Sequence, residues 1–182
     1  MNMIFRMGAI IALVLIGFNA EAQRGKKKKH DPQRATETKA EFIKVDPGME
    51  EFFNSAYGYA VFPSIGKGAI GIGGAAGKGV VYQGSNVTGG VNMTQLSVGF
   101  QFGGQAYSEV IFFEDADAYK RFVQNEFQFA AQASAVALKS GISADAKYAD
   151  GVAVFTMAKG GLMYEASVGG QRFKFVPPAK MK

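Results

Sequence analysis

From residue 96 the chain alternates. Leu96, Val98, Phe100 and Phe102 fall on one side of an extended backbone, and Ser97, Gly99, Gln101 and Gly103 fall on the other. That period of two predicts a half-buried strand. Shorter extended runs occupy 59–62, stopped by Pro63, then 80–82 leading into a turn at Gly84, Ser85 and Asn86, and 107–113. Three more, 150–157, 161–168 and 171–176, are separated by glycine pairs. Helical spacing appears between them. Residues 35–45 read as a short, mostly polar helix. Asp46 and Pro47 supply an N-cap and a first helical residue for a second helix, in which Met49, Phe52, Phe53 and Ala56 recur before Gly58 ends it. A third opens on the acids of 114–117, with Lys120 and Arg121 further along to complement the helix dipole and with Ala118, Phe122 and Val123 as its buried stripe. Segment 127–138 fits either period: its alanines favour helix, while Phe127, Phe129 and the alternating alanines fit a strand. The pattern predicts an α+β fold, predominantly antiparallel, with a strongly curved or barrel-like β-sheet and two or three short helices.

With 182 residues and 48% hydrophobic content, the chain has room for one domain with its own core. There is no Cys and no Trp, which removes disulfides and thiolate metal sites from consideration. Residues 1–22 read as a secretory signal: Arg6 precedes an apolar stretch over 7–18, and Ala20-Glu21-Ala22 has the small-x-small form of a cleavage site. The stretch is shorter than the roughly 20 residues of a membrane span. The alternative is a retained anchor, because Arg24 and Lys26 to Lys29 follow at once and flanking cations resist translocation. The expected organisation is a signal over 1–22, a basic arm over 23–44, a domain over 45–178 and a tail over 179–182, in a periplasmic or secreted protein associated peripherally with membrane.

Charge sharpens the role of the arm. The chain carries a net +5. All of that excess lies in 23–44, where Arg24, Lys26, Lys27, Lys28, Lys29, Arg34, Lys39 and Lys44 face only Asp31, Glu37 and Glu41. Such a run attracts polyanions, and near an anionic bilayer each Lys or Arg contributes about 1 kcal/mol. Nucleic acid is not an expected partner, since no aromatics interleave the cations to stack on bases. His30, the one histidine, lies in this arm without acidic or Cys neighbours to make it a ligand or base, and is expected to be solvent-exposed.

Candidate chemistry is sparse. Residues 66–71 match a GxGxxG phosphate-binding pattern, but further glycines follow where a helix must begin. Gly77-Lys78 is followed by Gly79 rather than Ser or Thr, so the phosphate loop fails too. Glycines spread through strands instead point to close backbone approach or curvature. No nucleophile–base pair or metal cluster is visible. Asp115 and Asp117 are explained by the helix start, and Glu109 and Glu165 are isolated acids expected to face outward. The expectation is a non-catalytic protein without metal or cofactor.

The ordered set of Tyr57-Gly-Tyr-Ala-Val-Phe-Pro-Ser64, the glycine-rich run ending Gly77-Lys78-Gly79, Leu96 through Gln105, Ile111-Phe-Phe113 before the acidic helix, Gly160-Gly161-Leu162-Met163 and Gly169-Gly170-Gln171 resembles the SYLF domain. The resemblance spans about 41–178. It implies binding of membrane or phosphoinositide through basic and amphipathic surfaces near the domain's N-terminus, and it favours strand for 127–138. The expected partner is an anionic envelope lipid, met by Lys26, Lys27, Lys28 and Lys29 of the arm and by Lys67 and Lys78 in the glycine-rich loops. Phe52 and Phe53 either insert into the membrane or pack on the domain. Some SYLF members contact actin; this chain, with an export signal and without their accessory domains, is not expected to. The alternative is a scaffolding envelope protein that binds another protein through its β surface.

Overall fold

A computed structural model describes residues 29–67, 74–96, 106–129, 134–159 and 166–181. The expected signal, Lys26 to Lys28, the whole of the alternating run after Leu96, and Glu165 lie outside them.

Helix α1 spans Pro32–Val45. It starts earlier than its apolar spacing suggested because Asp31 caps it, accepting from the Gln33 and Arg34 amides, and Pro32 fills the first turn. Asp46 is not the N-cap of the next helix. Its backbone closes α1 on the Phe42 carbonyl, while its buried carboxylate accepts from the Gly48 amide and, at 2.8 Å, from the amide of Ser143. Helix α2 therefore begins later, at Met49–Ser55. Gly58 does not end that helix but opens β1. It is glycine because a Cβ there would lie 2.7 Å from both the Tyr82 carbonyl oxygen and the Tyr119 ring.

The strands are β1 Gly58–Lys67, β2 Gly74–Gln83, β3 Asn86–Leu96, β4 Ala106–Phe113, β5 Ser134–Ala137, β6 Val152–Lys159, β7 Ala166–Ser167 and β8 Gln171–Val176; α3, Ala116–Val123, follows β4. They form one eight-stranded sheet in the order β7-β5-β6-β4-β1-β2-β3-β8, antiparallel except between β5 and β6. The sheet is open: among the described residues no ladder joins β7 to β8. Pro63 does not stop β1. The register slips between Phe62 and Ile65, so the missing amide falls at an irregularity, and Ser108 Oγ donates to the Pro63 carbonyl at 3.0 Å. Within segment 127–138, Gln128 bridges to Arg172 and Ser134–Ala137 forms β5, so strand rather than helix holds at the described positions.

Both faces of the central strands are buried, which is why every residue from Tyr107 to Phe113 is shielded. One face carries Ala60, Phe62, Val91, Met93, Ile111, Phe113 and Phe173, with α3 packed on it through Ala118 and Phe122. Residues distant in strand order meet there: Phe62 of β1 lies 6.0 Å from Phe173 of β8 between ring centroids. The opposite face carries Tyr59, Val61, Val80, Tyr82, Val110, Phe112 and Phe155, covered by Ala35 and Phe42 of α1 and by Met49 and Phe53 of α2. After β8, Pro178–Lys180 makes a short 3-10 turn and Met181 packs back against this second cluster.

Candidate functional site

The helix-covered face continues beyond the helices onto β2, β3 and β8, and there it is basic. In β3 and β8 the residues facing the first cluster are Val91, Met93 and Phe173, so the alternate positions point the other way. Lys78 pairs with Asn92, and Asn92 pairs with Lys174, in one row across the three strands; Ala76, Thr94 and Arg172 form the next. Arg172 and Lys174 are exposed and Lys78 is half-buried. Lys78 also lines a small depression with Lys29, Asp31, Arg34, Pro63 and Ser64. Five cations (Lys29, Arg34, Lys78, Arg172 and Lys174) thus collect on one surface. The ion pair found among the described residues, Arg121 with Asp150 at 3.2 Å, is elsewhere.

His30 fastens the chain to this surface. Contrary to expectation it is 8% exposed. Its Nε2 lies 3.1 Å from Asn92 Oδ1, and its ring occupies the space a side chain on Gly90 would fill, where a Cβ would come within 2.6 Å of Cγ. Burial holds its pKa below the usual histidine value, Lys78 lowers it further, and the Asn92 bond opposes both. Lys29, the residue before His30, therefore lies beside Lys78.

The other expected site residues are placed as follows. Lys29 is exposed at the basic surface. Lys78 lies within β2 and Lys67 is the last residue of β1, so neither sits in a loop. Phe53 belongs to the core, and Phe52 is half-buried against it. Phe53 is 3% exposed and meets Tyr59 and Phe112 edge-on at 5.1 and 4.9 Å, and Phe52 meets Phe155 at 5.0 Å. Arg34, Arg172 and Lys174 were not anticipated as part of the site. The alternation of 171–176 carried a signal for the latter two, but their proximity to Lys78 depends on β8 pairing with β3.

Glu109 is another correction: it is fully buried, because both faces of β4 are covered. Its Oε2 accepts from Gln171 Nε2 at 3.0 Å, and that same amide approaches the Tyr107 hydroxyl at 3.3 Å. Desolvation pushes the Glu109 pKa up to about 8, against the smaller opposing effect of Gln171. It is therefore mostly an uncharged acid at neutral pH. No group of three or more metal-binding side chains occurs among the described residues, and no helix among them is long and apolar enough to cross a membrane.

Residues 94–177 match the model of the Ysc84 family, described as Las17-binding protein actin regulator. The chain is also 30% identical over 130 residues to Beta cell expansion factor A of Aeromonas veronii, an alignment covering 70% of this chain and 49% of that protein. The chain thus spans about half the length of this curated relative.

Proposed function

We propose that this chain, whose residues 94–177 match the Ysc84 (SYLF) family model and so suggest lipid or actin-patch related binding, is a non-catalytic, exported module that docks peripherally on anionic lipid headgroups of the cell envelope. The observation that carries this reading is the set of cations on β2, β8 and around the start of α1 that form no ion pair among the described residues. Phosphate and carboxylate headgroups suit them because no acid among the described residues competes in an ion pair. His30 holds Lys29 on the same side, and Lys26 to Lys28 precede it directly in the sequence. At about 1 kcal/mol per cation near an anionic surface, the combined attraction holds the protein at low salt and falls steeply as salt rises.

A strongly curved sheet belongs to this reading. Glu109 and Gln171 touch although β4 and β8 are four strands apart, a separation of about 19 Å in a flat sheet. Only residues 168–170 lie between β7 and β8, the two ends of the strand order. Both facts support curvature with the basic rows on the convex side.

Co-sedimentation with phosphatidylcholine vesicles, with and without phosphatidylserine, tests the proposal. Binding is expected only with the anionic lipid, and Lys78→Gln combined with Arg172→Gln and Lys174→Gln should lower it at least tenfold. Equal binding to neutral vesicles, or an unaffected triple variant, refutes it. A second reading, docking of a protein partner on the β surface, draws on the family description as a Las17-binding protein. It predicts a stoichiometric, salt-insensitive complex in crosslinking without lipid.

A further inference from the structure

A separate cleft of about 400 Å³ opens between α1, the end of α2 and the β2–β3 turn. Its size falls within the range of small-molecule sites. Its wall is aromatic: Tyr59 and Tyr82 stack with centroids 4.9 Å apart and planes 16° from parallel, and Phe53 stands edge-on to Tyr59. Lys39 projects over this wall, its Nζ 4.6 Å from the Phe53 centroid and 5.5 Å from that of Tyr59. Asn54 and Ser85 add polar groups to the lining.

Lys39 forms no ion pair among the described residues. The ring faces attract its ammonium but supply no counter-charge. Glu50 is near enough to favour the charged form, yet burial dominates and lowers the pKa. Tyr59 is pushed up to about 12 by burial and Tyr82 is also raised by burial, so both phenols stay neutral beside an incoming anion. The rings reach the cleft only at their margins, Phe53 and Tyr59 being 3% and Tyr82 7% exposed, and this aromatic floor beneath a cation without an ion pair is complementary to a small flat ligand bearing a single negative charge.

We propose that this cleft binds a small aromatic monoanion, its ring against Tyr59 and Tyr82 and its carboxylate on Lys39. The site is distinct from the basic surface. Lys39 lies five residues beyond Arg34, about 140° around the helix axis, and none of Lys29, Lys78, Arg172 or Lys174 lines the cleft.

The test uses the full chain without vesicles and 1-naphthoate as probe, with the neutral alcohol 1-naphthalenemethanol as comparator, both followed by equilibrium dialysis. The naphthoate should bind at least tenfold more tightly than the alcohol. Lys39→Met, which keeps an apolar stem, should remove that preference and leave alcohol binding within twofold. Arg172→Gln combined with Lys174→Gln should change neither ligand. Absence of saturable binding, equal affinity for the two probes, an unaffected Lys39→Met variant, or loss of naphthoate binding in the Arg172/Lys174 variant would each overturn the proposal. Because no lipid is present, failure here leaves the vesicle result untouched, and the reverse also holds.

Discussion

Replacing Glu109 with Gln should make the protein more stable at neutral pH and flatten its dependence on pH. The carboxyl titrates at about 8 in the folded chain, against an ordinary value of 4.5. A buried acid whose pKa is raised on folding contributes no penalty below the unfolded value. Above it, the unfolded chain loses its proton first, and stability falls until pH passes the folded value. At about 1.36 kcal/mol per pH unit, the cost between pH 4.5 and pH 7 is on the order of 3 kcal/mol. Glu109→Gln removes the ionisation while keeping the shape, and its amide oxygen can still accept from Gln171 Nε2 as Oε2 does now. Urea unfolding followed by far-UV circular dichroism at pH 5, 6, 7 and 8 measures the difference between the two proteins. That difference should grow by about 2–3 kcal/mol from pH 5 to pH 7. His30, whose folded pKa is depressed, has the opposite sign: its contribution is present above 6.5 and is lost on acidification. It is common to both proteins and drops out. Parallel stability profiles would refute the assignment of a neutral, buried Glu109.

Two further outcomes follow from packing. Gly90→Ala puts a methyl group into the His30 ring and should destabilise the fold by about 1–3 kcal/mol. Combining it with His30→Ala should recover much of that loss in a double-mutant cycle, and strict additivity would show that the ring does not sit there. Phe53→Ala should cost about 3–5 kcal/mol in urea unfolding because the ring is enclosed by Tyr59 and Phe112. An unchanged stability, with vesicle binding reduced, would instead restore Phe53 as an inserting residue.

Much of the architecture is legible from local pattern. Strands β4 and β8 and helix α3 stand where the extended runs over 107–113 and 171–176 and the acids of 114–117 put them, Asp115 serving as the cap of α3, since capping and periodicity act over a few residues. The absence of Cys, and the concentration of net charge before Val45, are likewise properties of the sequence. Contacts between distant segments are not. Asp46 reads locally as a helix cap, yet its carboxylate reaches Ser143, 97 residues on. Glu109 reads as an outward acid because alternation assigns faces without saying whether both are covered; here α1 and α2 cover one face and α3 packs on the other. His30 reads as mobile because its seat is formed by a glycine and an asparagine of β3. The basic surface follows the same rule. Lys78, Arg172 and Lys174 carry their charges in any conformation, but the antiparallel register of β2, β3 and β8 is what brings them onto one face.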